Sequence, residues 1–568
     1  MRDAVLVPDA DADHDEPSVA QPYGRQEARR AAGPLPLPRA AGDWLLQAAP
    51  FLLALLVYGA AYVRMEPTPT GDEPHYILYS HSLVFDGDAD LANNYDRATV
   101  QWYFPYYDQL DPHGREYLGD GSLHSIHYLG LPILISPIIA AGGGVATVRV
   151  LMLLLSALLA QQLFGLLADS RLARTGYVRL AWAATAFSLP LVTFSGQIYP
   201  ELPAALVMVA SLRVLVQARP SLRALVLVTM GAAVLPWLHF RFIVFAGGLS
   251  LGMIFQLARQ AGWPVSVAGV LEHIRQPAAW VRFWPLLLPA ASLMMMGLVT
   301  YRLYGSPLPM AMYAPELATL EPWSLAIAYR HGLGAILSPA NGWLPYAPVH
   351  WLGLAGIIPL AVRFRRAAPA VLVFVGVYFM LVAGPVPVGN SLPARYIMTL
   401  IPLVAVPLLL VIGSSWPGRL LFVPLLGLSL VLMSLGVLHH TLLYQDENFA
   451  GSAALPLASR LQGIWPDFGA NARPAAQTAR PQFVVTAATA QHMVGRVVDG
   501  PAARVLYAAP GADEPGMLVF GPFTSLEPGS YLARFHVAAS GNDPLARAAT
   551  LDVMTDLPEL FTELARRE

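Results

Sequence analysis

Long apolar stretches recur along most of the chain and limit its fold more than any other feature. A helix needs about 20 mostly apolar residues to cross a bilayer. Stretches that meet or approach this length fall at about 44–63, 147–168, 177–195, 200–217, 222–239, 242–258, 283–303, 344–362, 369–388, 396–413 and 418–438. The composition agrees, because only 13% of the residues are charged, against about 25% in soluble domains. The sequence therefore predicts an all-α polytopic membrane protein.

Arginine clusters orient the predicted spans, because positive charge favours the cytoplasmic side. Clusters follow the spans that end near residues 170, 217, 258 and 362. They place the loop 64–127, the turns 196–200 and 389–395, the loop 304–343 and everything after 438 on the outer face. We therefore expect about eleven crossings, with the short segment Tyr128–Ala141 re-entrant or half-inserted. A twelve-helix arrangement would put one arginine cluster outside. Arg149, in the break between the two segments, is the residue that the choice of eleven crossings explains least.

Composition divides the chain into four regions. Residues 1–43 are polar and predict a disordered cytoplasmic tail, and 44–440 form the predicted transmembrane domain. A connector rich in proline and alanine follows at 441–481. From 482 to 568 the pattern alternates and predicts a small antiparallel β-sandwich. Its expected strands include 483–485, 504–507, 517–520 and 531–537, whereas 552–568 reads as polar and helical, so the sandwich is expected to be incomplete.

Several classes of function are disfavoured. The formal net charge of −2 offers no basic face for nucleic acid. The chain has no cysteine, which excludes thiolate metal sites and disulfides. Gly142-Gly143-Gly144 lacks the Gly-Lys-Ser/Thr ending of a phosphate-binding loop, which argues against a nucleotide-sugar or ATP site.

An acidic signature, Gly71-Asp72-Glu73-Pro74-His75-Tyr76, follows the first apolar stretch directly. Two carboxylates near hydrocarbon are costly, so they favour catalysis or ion binding over packing. The alternative is a solvated acidic loop. The signature resembles the Asp-Glu-x-x-Tyr motif at the start of the first periplasmic loop in the GT-C superfamily of integral-membrane glycosyltransferases. The resemblance is particularly to the bacterial branch related to protein O-mannosyltransferases and lipid A aminoarabinose transferases.

This resemblance covers about residues 44–440 and implies an activity. Such an enzyme would lie in a bacterial cytoplasmic (inner) membrane, with its site on the periplasmic or exterior side. It would transfer a hexosyl or pentosyl group from a polyprenyl-phosphate donor to a glycan, lipid or protein acceptor, with inversion. Membrane lipid would be a further partner. The predicted sandwich would bind glycan or position the acceptor.

The acceptor hydroxyl needs a general base. Asp72 is the candidate for this role, and Glu73 would share it or orient the acceptor or a metal. The same signature supplies Tyr76 and His75 as candidate substrate-binding residues.

The departing phosphate needs positive charge. The lipid A branch uses a lysine for this purpose, but this chain contains none. Arg395 and Arg241 are the candidates, since a guanidinium can bind phosphate with two parallel hydrogen bonds, and snorkelling to the interface is the alternative role. His124 and His127 occupy about the place of the family's lysine, although each also fits an interfacial histidine.

Two further candidate substrate-binding residues neighbour the arginines, His239 and Tyr396. Glu201, in a short turn, would bind a divalent cation such as Mg²⁺ or Mn²⁺ together with Asp72, or it would cap the following helix. The sequence does not require a cofactor.

Two other classes of function remain open. A transporter or flippase of lipid-linked glycans would also need many spans and charged residues in the membrane. Transporters often contain repeats with paired broken helices, and we find no such repeat in the sequence. A noncatalytic glycan-binding membrane protein rests on the predicted sandwich alone.

Overall fold

The structure is a computed structural model and is mostly helical. It describes residues 41–438 apart from 263–282, 314–331, 338–341, 383–391 and a few other positions, together with four strands between 496 and 567. The predicted tail up to residue 40 and the connector 441–481 lie outside the described residues.

Helices occupy each of the eleven apolar stretches. The α-helices are Ala41–Met65, Glu73–His81, Arg97–Tyr103, Gly130–Ala140, Val145–Ser170, Thr175–Ala186, Leu191–Phe194, Glu201–Leu215, Leu222–Leu238, Ile243–Gln260, Leu287–Tyr304, Gly334–Leu337, His350–Ala355, Ile357–Arg363, Ala368–Val382, Ala405–Ser414 and Trp416–Leu438. Short 3₁₀ segments precede several of them, at Phe240–Phe242, Trp284–Leu286, Arg395–Ile397 and Ile401–Val404. A further 3₁₀ turn lies at Ala311–Tyr313, and a π-helical turn at Ser82–Asp86.

Five helices in the described part of the chain are long and apolar enough to cross a membrane. They are Ala48–Met65, Val145–Ser170, Phe240–Gln260, Trp284–Tyr304 and Trp416–Leu438. Shorter apolar helices occur at Gly130–Ala140, Leu222–Leu238, His350–Arg363 and Ile401–Ser414. The protein therefore has the helices of a membrane protein, and the count of eleven crossings stays a prediction.

The stretch predicted as one span at 177–195 is broken. Helix Thr175–Ala186 ends before Pro190, and a short helix Leu191–Phe194 follows. Proline lacks the amide hydrogen that a continuing helix needs. Residues 195–201 are then buried, and Ser156 Oγ donates to the carbonyl of Ser195 at 2.9 Å. The predicted turn 196–200 thus belongs to the core.

Helix Gly130–Ala140 has 11 residues. At 1.5 Å per residue it is about 16 Å long, roughly half of the hydrocarbon thickness. It packs against Glu73–His81 and Leu222–Leu238. Its length agrees with the expected half-inserted segment, whose position in a membrane stays a prediction.

The first loop, residues 66–129, contains short elements that carry much of the candidate site. Helix Glu73–His81 opens it, and helix Arg97–Tyr103 is capped by Asp96, which accepts from the Thr99 amide. An antiparallel pair, Gly114–Arg115 with His124–Ser125, closes it.

The C-terminal region contains two antiparallel hairpins among the described residues. Strand Arg496–Asp499 pairs with Arg504–Tyr507, and Leu551–Leu557 pairs with Leu560–Arg567. The expectation of helix at 552–568 is wrong. Leucine, valine and threonine recur at every second position from Leu551 to Leu557, which suits a strand. The other expected strands lie outside the described residues, so the sandwich stays a prediction.

Candidate functional site

Asp72 sits at the junction of the first loop and helix Glu73–His81. Gly71 has a left-handed backbone (φ 59°), which glycine adopts without steric cost, and Pro74 lies in the first helical turn where its missing amide hydrogen is harmless. The Asp72 side chain makes no capping hydrogen bond. It accepts instead from the Arg395 guanidinium and keeps 24% of its surface exposed.

A chain of alternating charges extends inward from Asp72. Arg395 Nε also donates to Glu201 Oε1 at 3.3 Å, and Arg241 donates to the same oxygen. Glu201 is fully buried at the start of helix Glu201–Leu215. Four distant segments therefore meet in one network of two acids and two arginines.

Aromatic rings hold the two guanidinium groups in place. Arg395 lies over the Tyr199 ring at 3.9 Å, and both Arg395 and Arg241 lie over Tyr396, at 5.6 and 5.1 Å. Such cation–π contacts strengthen when water is excluded. Two buried atoms of the network have no hydrogen-bond partner among the described residues, Glu201 Oε2 and Arg241 Nε.

Two histidines flank the other side of Asp72. His113 Nδ1 lies 3.8 Å from Asp72 Oδ1 and 3.2 Å from His127 Nε2. One ligand atom from each of the three residues lies within 4.8 Å of the others. Two imidazole nitrogens and a carboxylate oxygen form a donor set that suits Zn²⁺ or Mn²⁺ better than Mg²⁺.

Burial and charge set the protonation of this group. Burial lowers the pKa of His127 to about 4, against a smaller opposing effect of Asp72. Burial by itself would raise the pKa of Asp72, but the charge of Arg395, with His127 and His113, holds it well below its usual range. A neutral imidazole and an ionised carboxylate are the forms that bind metal.

His75 and Tyr95 support the histidine pair. The His75 ring stacks on His113 with centroids 3.6 Å apart. The Tyr95 hydroxyl accepts from the His113 amide at 3.2 Å and lies 2.8 Å from His75 Nδ1. Tyr76 is buried, and its ring centroid lies 4.8 Å from that of His127. His75 and Tyr76, both predicted to bind substrate, therefore pack against the two histidines of the candidate metal group.

Glu73 points to a different partner from its neighbour Asp72. It is fully buried and pairs with Arg149 at 3.1 Å, and it accepts from the Ile198 amide at 2.8 Å. Arg149 also donates to the Pro67 carbonyl. This geometry favours a structural role for Glu73 over the shared catalytic role expected from the sequence, and it explains why an arginine lies at position 149.

The role of Glu201 as a metal ligand with Asp72 stays a prediction, since one of its carboxylate oxygens is paired with arginines. Its Oε1 is taken by two arginines, and Arg395 contacts both Glu201 and Asp72. The histidines His113 and His127 stand beside Asp72 instead. The sequence offered no sign of His113, because an isolated histidine in a polar loop has no informative spacing.

His124 and His239, which the sequence predicted near the donor and substrate, lie in two different environments. His124 lies in the hairpin, with its ring nitrogens 3.1 Å from the Ala89 carbonyl and 3.1 Å from Ser122 Oγ. These contacts favour a structural role over phosphate binding. His239 lies in an aromatic cluster, where its ring centroid is 5.0 Å from that of Tyr128 and 6.3 Å from that of Tyr313.

Comparison with known proteins gives weak fold similarity. No family model matches the chain, and no curated protein matches it. Two solved structures of an oligosaccharyltransferase from Archaeoglobus fulgidus are similar. One, in complex with Zn and sulfate, has 15% identity and a TM-score of 0.35 over 68% of this chain and 53% of that chain. The other, the apo form, has 14% identity and a TM-score of 0.38 over 79% and 62%. This chain thus spans between half and two thirds of the structures it resembles.

Proposed function

We propose that this protein is an inverting glycosyltransferase. It transfers a sugar from a polyprenyl-phosphate donor to an acceptor hydroxyl at the outer face of the cytoplasmic membrane. The observation that carries the proposal is the network in which Arg395 joins Asp72 to Glu201, with Arg241 on the same acid. A partly exposed carboxylate paired with Arg395, with Arg241 on the shared Glu201, provides a base for the acceptor and a site for the leaving phosphate.

The reaction is a single displacement. The acceptor oxygen bonds to the anomeric carbon while the bond from that carbon to the phosphate oxygen breaks, and the acceptor proton passes to Asp72. General-base help of this kind contributes about 10²–10⁴-fold. The acceptor oxygen attacks from the face opposite the leaving group, so the configuration of the anomeric carbon is inverted.

Arg395 couples donor binding to the base. In the free protein this arginine holds Asp72 ionised and weakly basic. A phosphate that draws Arg395 away would raise the proton affinity of Asp72, because the opposite charge that lowered it has moved. The base would therefore become active when the donor is in place.

Two unused polar atoms support substrate binding at the same network. Arg241 Nε is a buried donor and Glu201 Oε2 is a buried acceptor, each without a partner among the described residues. A phosphate oxygen suits the first and a sugar hydroxyl the second. Leaving such atoms unpaired costs about 1–3 kcal/mol each, which a bound donor would recover.

The group formed by Asp72, His113 and His127 would hold a divalent cation. A cation there would supply electrostatic stabilisation of negative charge during the reaction, and it would also lower the proton affinity of Asp72, as Arg395 does. The protein's part is to present a neutral imidazole at His127, which burial provides, and an ionised carboxylate at Asp72, which Arg395 provides.

The deciding assay uses purified protein in detergent with a panel of polyprenyl-phosphate sugars and a mixed acceptor pool. Release of free polyprenyl phosphate together with a glycosylated acceptor supports the proposal. A transporter has no compartments to connect in detergent and would release none. Failure across the panel, with movement of lipid-linked glycan in vesicles, would favour the flippase alternative.

A further inference from the structure

Four aromatic rings form a cluster to which the proposed reaction gives no role. We call Tyr128, His239, Phe240 and Tyr313 the aromatic wall. Every pair of these rings has a centroid distance between 5.0 and 6.3 Å. Tyr128 is buried, whereas the other three residues keep part of their surface exposed. A partly exposed aromatic surface with a few polar groups is typical of a site for a small molecule.

The aromatic wall joins the candidate site through two of its members. Tyr128 directly follows His127 in the chain, and the Arg241 amide donates to His239 Nδ1 at 3.3 Å. Because a backbone amide only donates, His239 Nδ1 carries no hydrogen, and the neutral imidazole has its hydrogen on Nε2. His239 thus offers a fixed donor two residues before the arginine that contacts Glu201.

The first loop and the residue before helix Gly130–Ala140 hold the turn that carries Tyr313. The Tyr128 hydroxyl donates to the Pro309 carbonyl at 2.6 Å, and the Tyr117 hydroxyl donates to the Met312 carbonyl at 2.6 Å. Both bonds fix the backbone just before Tyr313. A ring that is already in place loses little freedom when a ligand binds, which favours affinity.

The charges of the network act on the Tyr313 hydroxyl. Burial raises the pKa of this hydroxyl above its ordinary value, and the Asp72 carboxylate adds to the rise, while Arg241 opposes it. The hydroxyl therefore stays protonated and can both donate and accept a hydrogen bond. Neither this hydroxyl nor His239 Nε2 has a hydrogen-bond partner among the described residues.

We propose that the aromatic wall binds the sugar of the donor. The rings of His239, Phe240 and Tyr313 would pack on a face of C–H groups, and His239 Nε2 and the Tyr313 hydroxyl would bond to sugar hydroxyls. The inference rests on the proposed function, in which Arg241 helps to hold the donor phosphate. The sugar is joined directly to that phosphate, so it must lie beside the arginine. An isoprene chain has no hydroxyl groups, so the polar groups of the wall suit the sugar better than the lipid.

The test compares two ligands of equal charge. One is a short-chain polyprenyl phosphate sugar, with glucosyl, mannosyl and galactosyl derivatives as the panel. The other is polyprenyl methyl phosphate, which carries a methyl group in place of the sugar. Calorimetric titration of the purified full-length protein in detergent gives the Kd of each. We expect at least one sugar lipid to bind about tenfold or more tightly than the methyl ester, the effect of one well-packed aromatic contact.

Three variants assign this preference to the wall. Tyr313→Ala removes the ring and should abolish most of the preference, while the Kd of the methyl ester stays unchanged. Tyr313→Phe keeps the ring and should reduce the preference about threefold, as expected for one hydrogen bond. Tyr301→Ala removes a tyrosine that is 57% exposed on helix Leu287–Tyr304, and it should change neither Kd.

Equal binding of the methyl ester and all three sugar lipids by the wild type would overturn the inference, as would an unchanged preference in Tyr313→Ala. If Tyr313→Ala also weakens binding of the methyl ester, Tyr313→Phe decides, and an unchanged preference in that variant would overturn the inference. A sugar preference without any transfer would refute the transferase and leave the aromatic wall in place. Transfer without a sugar preference would refute the wall alone.

Discussion

Arg149 and Glu73 form an ion pair of 3.1 Å in which the two side chains are 2% and 0% exposed. The pair connects the long helix Val145–Ser170 to the first residue after Asp72. It therefore fixes the backbone that presents the candidate base, although neither partner is expected to touch substrate.

Removing one partner of this pair should destabilise the protein strongly. Arg149→Met leaves Glu73 as an uncompensated buried charge, and such losses cost about 3–5 kcal/mol. The double variant Arg149→Met with Glu73→Gln should be less destabilised than Arg149→Met alone. Thermal unfolding in detergent measures the stability of the two single variants and of the double variant. A double variant destabilised by the sum of the Arg149→Met and Glu73→Gln effects would contradict the pairing.

Asp72→Asn should abolish transfer without loss of folding. The amide keeps the size of the side chain and cannot take a proton, so turnover should fall by about 10²–10⁴-fold. Asp96→Asn is the matched control, because Asp96 is an exposed helix cap in the same loop and asparagine caps equally well. Normal turnover in a folded Asp72→Asn protein would rule out the assigned base.

Arg395→Lys should impair catalysis although the charge is kept. An ammonium group cannot contact Asp72 and Glu201 together and also lie flat on Tyr199. We expect a loss of at least about tenfold in kcat/KM, or ~1.4 kcal/mol. Arg419→Lys is the control, since Arg419 bonds to Tyr177 at an exposed position. Equal effects of the two substitutions would refute a special role for Arg395.

His113→Ala and His127→Ala should each weaken binding of Zn²⁺ or Mn²⁺. Each substitution removes one of three ligands, and we expect a loss of more than about tenfold in affinity. Titration calorimetry of the purified protein measures it. His81→Ala provides the comparison, because His81 lies in the same loop and bonds to Tyr103. Unchanged affinity in both test variants would place the metal elsewhere.

The first loop and the C-terminal region should share the outer face of the membrane. Single cysteines at Asp96 and Gly511, in a chain without native cysteine, should both react with an impermeant thiol reagent added from outside. The arginine asymmetry is the reason for this expectation. Labelling at one position only would show that the predicted number of crossings has the wrong parity.

The sequence located the helices well, because a bilayer-length apolar run leaves few other solutions. It did not show where those runs break. Pro190 interrupts one predicted span, and the residues that follow are buried through contacts with distant segments. Such contacts depend on packing and leave no periodic signal.

The candidate site was predictable only in part for the same reason. Asp72, Glu201, Arg241 and Arg395 stand out as charged residues near the ends of apolar stretches, and the structure brings them together. Sequence alone gave the adjacent acids similar roles, because it cannot show that Asp72 faces Arg395 while Glu73 faces Arg149. The direction of each side chain decides its chemistry.

The network of Asp72, Glu201, Arg241 and Arg395 is electroneutral, since its two acids and two bases cancel. In the proposed reaction a phosphodiester donor adds one negative charge, and the departing lipid monophosphate carries between about 1.5 and 2. Transfer of the acceptor proton to Asp72 offsets this added charge during the chemical step, so the imbalance appears when that proton leaves for solvent, and countercharge must then accompany the product more than the donor. Retention of the released lipid phosphate should therefore depend on divalent cation more steeply than donor binding does, and loss of the cation would act as the exit step of the cycle.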